Sequence, residues 1–102
     1  MAKNRLDLQS KLEQLLGSRN VYYQAPESKK MEYPAIRYSK SNIQSRYAND
    51  AIYSNMNRYE LIVISRTPDH PVIYKLLELP YCDYDRHYVS ENLNHDALTL
   101  YF

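Results

Sequence analysis

The sequence predicts an α+β domain: two helices on one face of a mixed, mostly antiparallel sheet that ends in a C-terminal β-hairpin. Three observations carry this. Leu8, Leu12, Leu15 and Leu16 fall at i, i+4, i+7 and i+8, the spacing of one helical face. Leu61, Ile62, Val63 and Ile64 run without interruption, as in a strand covered on both sides. The chain closes on two tyrosine- and leucine-bearing stretches separated by the turn-like "ENLN".

The first helix is expected from about Asn4 to Leu16. Asn4 suits the cap, Asp7 lies near the positive end of the helix dipole, and Gly17 suits the left-handed position after the last turn. "NVYYQ" reads as a short strand and "APESKKMEY" as a polar loop. "PAIRYSK" reads as a strand with Pro34 at its start. Ser41–Asn57, rich in Asn and Ser, reads as a long loop or an extended hairpin tip, and "RYELIVIS" as the strongest strand. "TPDHPVIYKLLELP" is a second helix. Pro71 sits in its first turn, Asp69 near its positive end, Val72, Ile73, Leu76 and Leu77 form the buried stripe, and Pro80 is the stop. The closing hairpin is expected as Tyr84–Ser90 and His95–Phe102.

With 102 residues, the chain fits one domain whose modest core makes oligomerisation a natural supplement. Twelve tyrosines stand against one phenylalanine and no tryptophan. That bias suits protein interfaces and half-buried strands equally. A single glycine leaves no room for a phosphate-binding glycine loop, and a single cysteine excludes an internal disulfide. No apolar run reaches membrane-spanning length, and "MAKNRLDLQSKLEQLL" lacks the apolar core of a signal peptide. Net charge is only +1, but residues 1–46 carry nine Lys/Arg against four Asp/Glu, and residues 79–102 carry one against four. Such a split would suit steering the front of one subunit onto the back of another; the alternative is a chance distribution of solvated charges.

The closing stretch holds the residue types of chemistry. Cys82, His87 and His95 match no zinc spacing, so no metal or cofactor is expected. On a regular strand, Asp83, Asp85 and His87 share one face, and Cys82 and Arg86 share the other. An acid–base pair of Asp85 and His87, with His70 as a third group, is thereby open. The competing reading is a polar strand face with cross-strand pairs. Lys29, Lys30, Arg37, Lys40 and Arg46, interleaved with Tyr33, Tyr38 and Tyr47, would suit single-stranded nucleic acid, although no binding motif is present.

"ELPYCDYDRHYVSENLNHDALTLYF", "ESKKMEYPAIRYS" and "DLQSKLEQLLGSRNVYYQ" together resemble the tail terminator (tail completion) proteins of bacteriophages with long non-contractile tails. The resemblance covers nearly the whole chain and is sharpest over "PYCDYDRHYVSENL". It implies a virion protein without catalytic residues, assembled in the host cytoplasm and residing at the tail neck. Six copies would form a ring that caps the tail tube, stops its polymerisation and meets the head-side connector, with DNA passing through the lumen. Head-closure or connector proteins are the neighbouring alternative. A small enzyme or nucleic-acid-binding module is the alternative of another class. On the assembly reading, Arg46, Tyr47, Tyr53, Asp85, Arg86, His87 and Tyr88 are the expected interface residues. Ser41–Asn57 is expected to order on assembly around Tyr47 and Tyr53.

Overall fold

The computed structural model describes residues 5–25, 30–40 and 57–102. In chain order these form α1 (Arg5–Leu16), β1 (Val21–Tyr23), β2 (Ala35–Lys40), β3 (Arg58–Ser65), α2 (Pro71–Leu77), β4 (Cys82–Ser90) and β5 (Leu93–Tyr101). The strands make one five-stranded sheet in the order β1-β2-β3-β5-β4. Among the described residues only β1 and β2 pair in parallel; the other pairings are antiparallel. The fold class read from the sequence is present. The cap expected at Asn4 and most of the Ser41–Asn57 segment, including Arg46, Tyr47 and Tyr53, lie outside the described residues.

The helical stripe of α1 does what its spacing dictates: Leu8 and Leu12 are fully buried, and Leu15 and Leu16 pack against the same core. Gly17 ends the helix at φ +82°, where any side chain would be strained, and its N–H donates to the Glu13 carbonyl at 2.9 Å. Pro71 opens α2. The capping group is His70, whose Nδ1 accepts from the Val72 N–H at 3.1 Å, with Asp69 one residue further out. Leu77, expected in the buried stripe of α2, is exposed; Val72, Ile73 and Leu76 are buried.

Both helices bury their apolar residues against alternate positions of the sheet: Ile36 and Tyr38 of β2, Tyr59, Leu61 and Val63 of β3, and Leu98 and Leu100 of β5. Period-two alternation places all of these on one face, so the helices share that side. The "LIVI" run is covered on the helix side. On the opposite side Ile64 is buried and Ile62 half-buried, although no described helix lies there.

The hairpin differs from expectation at two places. Its turn is two residues, Glu91 and Asn92, at φ 53° and 64°, flanked by the Ser90–Leu93 pair. Positive φ at both turn residues is the type I′ arrangement, whose twist matches that of the strands. Further along, the register slips between Tyr84 and Arg86, leaving Asp85 as an extra residue in a β-bulge.

Candidate interaction site

The bulge decides which side chains meet. Cys82 pairs with Leu100 and Tyr84 with Leu98, so both lie on the helix side. Beyond the extra residue, Arg86 pairs with Ala97, His87 with Asp96 and Tyr88 with His95. The parity is thus reversed, with His87 on the helix side and Arg86 and Tyr88 on the open side. The expected sharing of one face by Asp85 and His87 is therefore wrong, as is the pairing of Cys82 with Arg86. One inserted residue shifts the alternation by one.

On the open side, the Thr99 hydroxyl donates to Asp85 Oδ2 at 2.8 Å. Tyr88 stacks on His95 with ring centres 4.8 Å apart, and the Arg86 guanidinium lies 5.2 Å from the Tyr88 ring centre. Two shallow depressions flank the middle of β3. One, of about 350 Å³, is lined by Glu60, Ile62, Asp85, Arg86 and Tyr88. The other, of about 430 Å³, shares Glu60 and Ile62 and adds Gln24, Arg37 and Ser39. Arg37 is held there by donating to the Ala25 carbonyl at 2.8 Å.

On the helix side, the Tyr84 hydroxyl donates to Asp96 Oδ1 at 2.6 Å. Asp96 is 5% exposed, so this bond satisfies an oxygen that is costly to leave unpartnered. Its carboxylate is the main reason the Tyr84 hydroxyl is pushed up to about 12; burial adds to the shift, as do the nearby Asp69 and Tyr74. His87 Nε2 and Asn94 Oδ1 are 3.1 Å apart at the surface. Burial, reinforced by Asp83 and Asp85, pushes the Cys82 thiol up to about 11, which keeps it protonated and weakly nucleophilic at neutral pH.

Of the residues read as a nucleic-acid surface, Lys29, Arg46 and Tyr47 lie outside the described residues. No group of three or more His, Cys, Asp or Glu among the described residues is placed to hold a metal ion. Tyr38, read as a stacking residue for nucleic acid, is a core residue. Its hydroxyl donates to Gln9 Oε1 at 2.6 Å, while Arg37 faces the opposite side of the sheet. Among the described residues no helix is long and apolar enough to cross a membrane.

Sequence reasoning missed Glu60, which stands exposed in the middle of the central strand, and the exposed apolar residues Tyr74, Leu77 and Tyr84. A signal for the first was available: a carboxylate inside "RYELIVIS" must face a side that no helix covers. Tyr74 and Leu77, three residues apart on α2, share a strip that the buried stripe does not use.

The strand order gives the charge split a spatial meaning. Residues 5–25 and 30–40, which build α1, β1 and β2, carry six Lys/Arg against three Asp/Glu. Residues 79–102, which build β4 and β5, carry one against four. The β1–β2 pair and the β5–β4 pair lie at opposite ends of the sheet, so one edge region is basic and the other acidic. No family model matches the chain, and no curated protein or solved structure matches it.

Proposed function

We propose that the protein is a structural subunit of a long-tailed bacteriophage virion. It is a tail terminator, six copies of which close a ring on the finished tail tube, stop its growth and present a surface to the head-side connector. One observation carries the assembly part of this reading: the basic and acidic regions lie at opposite edges of a single sheet. A subunit with two different, complementary edges associates head to tail, and head-to-tail contacts close into rings when the rotation per subunit allows it. Opposite charge speeds and orients that encounter. The tail-neck assignment rests on the sequence resemblance over Asp7–Gln24, Glu27–Ser39 and Glu78–Phe102.

The side-chain placement favours assembly over acid–base chemistry. The one pair on which a catalytic reading rested, Asp85 and His87, is divided between the two faces of β4. Each has a cross-strand partner, Thr99 and Asn94 respectively.

The test is a phage in which this gene is interrupted. Lysates are expected to contain filled heads without tails and free tails of unregulated length, both corrected when the protein is supplied in trans. Virions with joined tails of normal length in the absence of the protein overturn the proposal.

A further inference from the structure

Exposed large apolar side chains are unevenly placed on the described surface. They are Leu6, Tyr74, Leu77, Tyr81, Tyr84 and Val89. Leu6 is on α1, Tyr74 and Leu77 are on α2, and strand parity puts Tyr84 and Val89 on the helix side as well. Tyr81 stands at the corner between α2 and β4. The open face of the sheet, by contrast, shows none of these exposed large apolar side chains and combines charged residues such as Glu60 and Arg86 with the buried Ala35, Ile64 and Thr99.

At the acidic edge, α2 packs against β4, whose Tyr84 lies on the helix side of the sheet opposite Leu98. Leu77 continues the strip one turn along α2. Exposed Asp69 precedes α2 and exposed Glu78 follows Leu77; Lys75 is the only basic residue of α2. The result is an apolar patch on an acidic background.

At the basic edge, α1 lies over β1. Gln9 donates to the Val21 carbonyl at 3.0 Å, and the Arg5 guanidinium sits 4.4 Å from the Tyr23 ring centre. Leu6 is three residues before Gln9, hence on the flank of α1 that reaches the β1 edge, and it is 64% exposed. In a head-to-tail arrangement the neighbour keeps its helices on the same side. Its α1 therefore arrives where the first copy presents Tyr74, Leu77 and Tyr84.

We propose that this α2–β4 patch is the docking site for the α1 flank of a second copy, with Leu6 seated against Tyr74 and Leu77. The inference rests on the head-to-tail reading above. It joins apolar to apolar and an acidic edge to a basic one, and it leaves the open face of the sheet for other partners.

The test uses the full chain carrying Leu6→Glu or Leu77→Glu. Both positions are exposed, so thermal unfolding of the monomer is expected to stay unchanged, while dissociation of the assembled oligomer rises about tenfold or more. Cysteines placed by Leu6→Cys and Tyr74→Cys in a Cys82→Ser background should join through a short bismaleimide between copies, giving a ladder that ends at the closed ring. An oligomer that persists unweakened in both Glu variants and gives no ladder overturns the docking site and leaves the head-to-tail reading standing. A chain that stays monomeric both in solution and on tail ends overturns both.

Discussion

Strand β1, three residues long, is fixed from above: α1 contributes the Gln9 bond to Val21 and the Arg5 contact with Tyr23. Strand β4, at the opposite edge, is nine residues long and exposes seven of its side chains. It is held mainly sideways, by its ladder to β5, the two-residue turn, and the Tyr84–Asp96 and Asp85–Thr99 bonds. The two edges are held differently: β1 has only a three-residue ladder to β2 and depends on α1 above it, whereas β4 has a full-length ladder to β5. The contrast also bears on association. A long edge strand invites pairing with its own kind, and β4 carries a bulge and the charges of Asp83, Asp85 and Arg86, features that discourage such pairing. An unlike edge is the better match.

The largest effect should come from removing the support of β1. Leu12→Ala empties a fully buried position between α1 and the sheet, and a loss of about 2–5 kcal/mol is expected by denaturant unfolding. Hydrogen exchange should then show the β1 amides opening well before those of β4. At the other edge, Tyr84→Phe removes the donor to buried Asp96 and should cost about 1–3 kcal/mol. Equal losses in protection at both edges in either variant would dissolve the contrast.

A pH series sharpens it further. The Cys82 thiol and Tyr84 hydroxyl are both raised in the folded chain, to about 11 and about 12, from 9.0 and 10.0. The folded state therefore holds these protons longer than the unfolded state. The stability they contribute is complete below about pH 9 and is lost as pH climbs through the folded values. Alkaline weakening should appear first in the β4–β5 hairpin, with alkylation of Cys82 slow at neutral pH and accelerating in the same window.

Smaller effects separate the two faces of β4. Asp85→Ala leaves the Thr99 hydroxyl without its acceptor and should cost about 1 kcal/mol. His87→Ala breaks only a surface contact and should stay within about 0.5 kcal/mol. Coupled, non-additive losses in the double variant would mean that the two side chains meet after all. The smallest change expected is a gain: replacing Glu91 and Asn92 by Asn and Gly fits the type I′ turn better, by about 0.5 kcal/mol.

Much of the fold was legible because burial imposes a period. The leucines of α1, the "LIVI" run and the Val72–Leu76 stripe each face a core, and Gly17 and Pro71 mark helix ends with residues whose backbone preferences are unusual. The hairpin was legible as a pair of strands but not in phase. Exposed residues carry no hydrophobic alternation, so nothing in "CDYDRHYVS" announces that Asp85 is an extra residue. The turn was hidden because neither of its two positive-φ residues is glycine. The parallel pairing of β1 was beyond reach for a different reason: three residues hold too little pattern to choose a partner or a direction. The charge split was visible in the sequence, yet its meaning depended on strand order, which puts the chain's first and last strand pairs at opposite ends of the sheet.

On the head-to-tail proposal, unlike edges of the sheet meet. An electron-microscopy reconstruction of the assembled oligomer, at a resolution that separates strands, tests it most directly. The expected result is a closed ring, six copies in the favoured case, in which every β4 edge faces the β1–β2 edge of the next copy and all helices lie on the corresponding side. Copies related by a two-fold axis, with β4 against β4 or β1 against β1, would contradict it.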